Sequence, residues 1–92
     1  MRFEFKPSFD RSIKAFPERE RQELRDAACR LIDALSGQEL MPKGMGLKKL
    51  RGNFWEMRKG LKTRILFRRE KDWTEFILAG DHNDIKRFLK DI

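Results

Sequence analysis

This chain is poor in the residues that build disulfides, metal centres or membrane spans. Its one cysteine, Cys29, excludes an internal disulfide and any cysteine-rich metal site. Its one histidine, His82, leaves no histidine pair to serve as ligands, and no clustered carboxylates take their place. No serine or cysteine has a histidine at the spacing of a nucleophilic triad. No apolar run approaches the roughly 20 residues needed to cross a bilayer. The amino-terminal MRFEFKPSF has no apolar signal-peptide core. The expectation is a cytoplasmic protein with no metal, no cofactor and no membrane partner. No repeat or low-complexity stretch is visible.

The 92 residues have room for one domain, 1–92, and one modest core. A chain of this size buries about 60–70% of the surface that its unfolded form exposes. Charged residues make up 40%, yet hydrophobic residues at 39%, with eight Phe and two Trp, suffice for a folded core. The net charge of +7 is uneven. From Lys43 to Lys71 eleven Lys or Arg face only Glu56 and Glu70, a local +9. Residues 1–42 hold eight basic and eight acidic residues, and 72–92 hold three against five, so the whole surplus lies in one 29-residue window. Charge scattered for solubility would not concentrate this way; a block of one sign marks a polyanion-binding face.

Arg2 to Lys6 alternates polar and apolar, with Phe3 and Phe5 on one face, and predicts a strand. Pro7 ends it, and Ser8 is expected to cap a short helix carrying Phe9, Ile13 and Phe16. Pro17 opens a second helix whose apolar stripe is Leu24, Ala27, Ala28, Leu31 and Leu35, with Gly37 as its stop. Cys29, beside that stripe, is expected to be a buried, inert thiol. Gln38 to Leu47 reads as a loop. Three strands follow: Phe54–Lys59, Thr63–Arg68 after a turn at Gly60, and Thr74–Gly80. In the middle strand Ile65 and Phe67 face one way and Arg64, Leu66 and Arg68 the other; in the last, Phe76 and Leu78 are expected to share a face. Asp84 to Leu89 reads as a terminal helix, with Asn83 as its cap. The fold class expected is α+β, a small twisted, mainly antiparallel sheet in the order β-α-α-β-β-β-α.

The chemistry concentrates in KKLRGNFWEMRKGLKTRILF, residues 48–67. Glu56 and Arg58 are two apart, so on a pleated strand they share one face, and Arg64 on the next strand can come up beside them. A carboxylate between two guanidiniums suits a phosphodiester, because arginine's planar fork matches phosphate oxygens and a carboxylate can take a proton. Glu56 is the only acidic residue between Leu40 and Arg69, which keeps it an ionised potential base. The alternative is a surface salt bridge to Arg58 or Lys59, worth little. Arg58 and Arg64 could equally line a solvated sheet face, with Arg64 pointing to solvent. His82, in AGDHND, could protonate a leaving oxygen or be a turn histidine bonded to Asp81 or Asp84. Lys48, Lys49, Arg51, Lys62 and Arg68 are candidate contacts to backbone phosphates. Of the tryptophans, Trp73 is a stacking candidate, whereas Trp55 alternates with Glu56 and should pack with Met57.

The order of elements, together with KKLRG, the WEMR strand, the TRILF strand and the AGDH end, resembles the RelE/ParE superfamily of bacterial toxins from type II toxin–antitoxin pairs, which act in plasmid stabilisation. The resemblance spans essentially the whole chain. It implies a twisted sheet with one strand before two helices and three strands after, the helices packed on one side. In the ribonuclease branch it further implies metal-independent cleavage of messenger RNA in the ribosomal A site. The neighbouring 2′-hydroxyl attacks the phosphate, leaving a 2′,3′-cyclic phosphate and a 5′-hydroxyl, and translation stops. Lys49, Leu50, Arg51 and Gly52 match the turn before the active strand. Glu56 falls where some members place the carboxylate base and others a lysine, and Arg58 at a basic position of the same strand. Arg64 falls at the arginine of the following strand that grips the scissile phosphate, and His82 where members carry an arginine or histidine. Many members add a tyrosine near the carboxyl terminus. This chain has none, and Phe88 is the nearest aromatic, able to stack but not to donate a hydrogen bond. The implied partners are an acidic antitoxin, the ribosome and its mRNA. Two alternatives stand beside this: a ParE-like toxin that binds DNA gyrase, and an inactive RNA-binding relative.

Overall fold

Alternating residues build the first strand, β1 (Arg2–Phe5), and Pro7, at the first helical position, opens α1 (Pro7–Ile13). Pro17 caps the long helix α2 (Glu18–Leu35). There follow β2 (Leu47–Lys49), β3 (Phe54–Lys59), β4 (Thr63–Arg69), β5 (Trp73–Gly80) and α3 (His82–Lys90). The computed structural model describes residues 2–36 and 44–92. Gly37 and most of the expected 38–47 loop lie outside them. The sheet is mixed, ordered β1-β5-β4-β3-β2, with β1 parallel to β5 and every other neighbour antiparallel.

The two faces of the sheet carry separate cores. On one, α1 and α2 bury Phe9, Ile13, Leu24 and Leu31 against Met57, Ile65, Phe67 and Phe76. On the other, Ile85 of α3 packs on Leu66 and Ile77, with Phe54 and Phe88 beside them. Each such side chain contributes about 1.5–3 kcal/mol by leaving water. Trp55 packs against the α1–α2 core, as its alternation predicts.

Five expectations need correction. The segment before the active strands is not all loop, because Leu47–Lys49 pairs with β3 as a fourth strand after the helices. Cys29 is exposed, since it lies one residue past Ala28 and so about 100° round the helix from the buried stripe. Ser8 does not cap α1; Lys6 is the cap residue, without a side-chain bond, and the Ser8 hydroxyl donates to the Ile77 carbonyl at 2.5 Å. Ser12 Oγ accepts from the Ala79 N–H at 2.9 Å, so two α1 serines satisfy β5 where β1 has ended. Phe76 and Leu78 do not share a face. A register shift pairs Leu66 with Leu78 but Phe67 with Phe76, leaving Ile77 as an extra residue that turns Leu78 towards α3. Finally, α3 begins at His82 and its cap is Asp81, not Asn83. Asp81 accepts from the Asp84 N–H and Asp84 from the Asp81 N–H, a reciprocal capping box.

Candidate functional site

Strand register decides which charges meet. Arg58 stands directly opposite Arg64, and Glu56 opposite Leu66, with Lys48 on its other side. Because directly paired residues project to the same side, Lys48, Glu56, Arg58 and Arg64 all share the face that carries α3. Glu56 is diagonal to Arg64, within reach of a long side chain. Arg64 Nη1 donates to Glu56 Oε2 at 2.6 Å, with only 4% of the Glu56 side chain and 17% of the Arg64 side chain exposed. The pair is therefore buried, and neither Arg58 nor Lys59 is the carboxylate's partner. Lys59 reaches α2 instead, 3.5 Å from Glu23. The expectation of a solvent-facing Arg64 is corrected by the same observation.

Arginine donors on this face remain unspent, and Arg68 Nε is one of them. Arg64 Nε is buried without a hydrogen-bond partner. The Arg58 guanidinium is exposed and makes no ion pair or hydrogen bond among the described residues. Two guanidiniums set opposite each other across a strand pair repel, and one carboxylate offsets three cations here. Buried unsatisfied donors are rare and costly, and an anion between the arginines would satisfy them.

Two glycines missed from the sequence position these groups. A Cβ on Gly46 would press to 3.3 Å on Arg58 Cβ, and the Gly46 backbone is left-handed at φ +68°. Without a side chain, its carbonyl accepts from the Arg58 N–H at 3.1 Å and fixes the strand beside the arginine. A Cβ on Gly80, which pairs with Arg64, would lie 2.8 Å from Asp84 Cβ, so glycine lets α3 fold back tightly from the end of β5. An isolated glycine at a strand end was the available signal.

The remaining candidates are dispersed. His82 is the exposed first residue of α3, two residues beyond Gly80. Lys48 and Lys49 are exposed on β2, but Lys49 stands opposite Trp55 and so belongs to the other face. Arg51 donates to the Ile92 main-chain oxygen at 3.2 Å, and Lys62 is exposed in the β3–β4 turn. Arg68 Nε lies 2.9 Å from Glu75 Oε1, close in charge though not aligned as a hydrogen bond, and its guanidinium stacks 4.8 Å over Trp73. Phe88 is half-buried, its ring edge-on to Phe54 at 6.0 Å. Beside His82, the Asp84 N–H holds the Asp81 carboxyl below its ordinary range. Among the described residues no three His, Cys, Asp or Glu side chains gather as metal ligands. Nor is any helix long and apolar enough to cross a membrane.

No protein-family model and no curated protein matches the sequence. Solved structures do match. A variant of YafQ from E. coli superposes with a TM-score of 0.72 at 14% identity, over 92% of this chain and 98% of that one. The RelBE2 toxin–antitoxin complex from Mycobacterium tuberculosis matches with a TM-score of 0.65 at 17% identity, over 88% and 96%. The fold is that of the RelE and YafQ toxins. The RelB–RelE antitoxin–toxin complex from Methanococcus jannaschii, at 0.65 and 19% identity, covers 91% of this chain and 95% of its own. The mixed five-stranded sheet with three helices thus has the RelE-type fold, and the Glu56–Arg64 pair lies on its α3 face.

Proposed function

We propose that this chain is the toxin of a toxin–antitoxin pair and cleaves messenger RNA on the α3 face of its sheet. The reading is carried by Arg58 standing opposite Arg64 beside the buried Glu56, two guanidiniums against one carboxylate with donors that no described residue fills. The RelE-type fold and the +9 stretch of sequence that contains Lys48, Arg58 and Arg64 support it. In this mechanism Glu56 takes the proton of a ribose 2′-hydroxyl, whose oxygen attacks the adjacent phosphorus. Arg58 and Arg64 stabilise the charge that develops on the phosphoryl oxygens, where pre-set donors act most strongly. The P–O5′ bond breaks as His82 gives its proton to the leaving oxygen. The products are a 2′,3′-cyclic phosphate and a 5′-hydroxyl, and solvent returns the protons. Lys48, Arg51 and Lys62 hold backbone phosphates, and Phe88 supports the sheet or a stacked base. The site of action is the cytoplasmic ribosome, and an acidic antitoxin covers the cationic face through complementary potential.

Inducing the protein alone and mapping transcript 5′ ends tests this reading. New 5′-hydroxyl ends, with growth arrest, are expected; arrest with intact transcripts and lost gyrase supercoiling activity would establish the ParE-like alternative. His82→Gln should slow single-turnover cleavage about 10²–10⁴-fold while RNA binding persists.

A further inference from the structure

Helix α3 separates two grooves of similar size, one of mixed charge and one cationic. The groove towards α1, about 680 Å³, mixes Arg11, Lys62 and Arg87 with the carboxylates of Asp81 and Asp84. The groove towards the β2–β3 turn, about 670 Å³, is lined by Arg51, Asn83, Lys86, Arg87, Leu89 and Lys90, with no Asp or Glu among them, and Arg51 also donates to the Ile92 main-chain oxygen. Charge counting along the chain hides this, because residues 72–92 sum to −2. The helix sorts them. Asn83, Lys86 and Lys90 are three and four residues apart and so line one side. Asp84 is turned to the cap and to Arg87, with which it pairs. Lys86 and Lys90 are exposed and make no ion pair among the described residues.

We infer that this groove is a second backbone-phosphate track, in which Lys86 and Lys90 of α3 and Arg51 of the facing turn carry single-stranded RNA away from the Glu56–Arg64 face. It rests on the RNA-cleavage reading above and adds where the strand runs. Continuity supports it: Asn83, at one end of the groove, follows His82, and Arg51, at the other, closes the KKLR segment that contains Lys48. From Asn83 to Lys90 the helix rises about 10 Å, enough to span more than one phosphate. Single apolar Leu89 offers no anchor row for a peptide, whereas flexible ammonium groups suit phosphates as point charges.

The test uses the full chain and a 2′-O-methylated single-stranded RNA, which lacks the attacking hydroxyl. Binding is measured across a salt series for wild type, the double variant Lys86→Gln/Lys90→Gln, Arg58→Ala and the control Lys14→Gln. Loss of two phosphate contacts should make the log–log salt slope of the double variant shallower by about 1.4, at ~0.7 per contact, with Lys14→Gln unchanged. Circular dichroism of the double variant should match wild type, since both lysines are exposed. A wild-type slope in the double variant, with Arg58→Ala weakened, overturns the track and leaves the catalytic reading standing. Normal RNA binding by the double variant with loss of a synthetic polyglutamate peptide overturns it in favour of a protein partner. Wild type without salt-dependent binding overturns the RNA reading of the whole face, this groove included.

Discussion

Two glutamate–arginine pairs lie on the same face of this sheet, and their surroundings are opposite. Glu75 and Arg68, directly paired on β5 and β4, sit among compensating groups. Lys6 is 3.6 Å from Glu75, Glu70 is 3.8 Å from Arg68, and Trp73 lies under the guanidinium. Glu56 and Arg64 are more deeply placed, and their charged neighbours are Arg58 and Lys48, with no second carboxylate among the described residues. The first cluster is electrically closed and serves packing and register. Each arginine leaves its Nε without a hydrogen-bond partner, so what sets the second cluster apart is its surplus of cation over anion. Residue types alone do not distinguish the two pairs; the balance of charge around each does, and on the proposed function the unbalanced pair is the catalytic one.

The sharpest break in that comparison is Arg64→Ala. It should lower cleavage about 10²–10³-fold and also cost about 3 kcal/mol of stability, because it strands a buried carboxylate. Single-turnover kinetics and urea midpoints check both; cleavage at the wild-type rate by a folded variant would count heavily against the site. Arg58→Ala should give a similar loss of rate with a midpoint within about 0.5 kcal/mol of wild type, since its guanidinium makes no ion pair or hydrogen bond among the described residues. A large stability loss there would mean that the arginine has structural partners after all. Glu75→Gln should do the reverse, lowering stability by about 1–2 kcal/mol while cleavage stays within about twofold. If its cleavage fell as far as that of Arg58→Ala, the two pairs would not differ in kind.

The smallest effect concerns pH. Folding lowers the affinity of Asp81 for its proton, so the ionised cap stabilises α3 above the ordinary carboxylate range and is lost as pH falls through the lowered value. Amide-exchange protection of α3 should therefore decline on acidification in the wild type and less in Asp81→Asn, which keeps a capping side chain without a titrating one. Equal acid sensitivity in the two would remove the cap from this role.

How much could be read in advance follows from the range of each signal. Local periodicity and punctuation determined the α2 stripe, the strand spans from Phe54 onward, and the order of elements, because these depend on residues within one turn or one pleat. The gathering of Glu56, Arg58 and Arg64 was also legible, since adjacent strands joined by a short turn leave few registers. What only tertiary structure decided lay between segments distant along the chain. It closed Glu56 and Arg64 from solvent, showed β2 by its pairing with β3, and used Ser8 and Ser12 to finish an edge of β5. It placed an extra residue at Ile77 and turned Lys86 and Lys90 into a groove opposite Arg51. Burial, register shifts and the sum of charge on a surface are properties of faces brought together, and no window of neighbouring residues contains them.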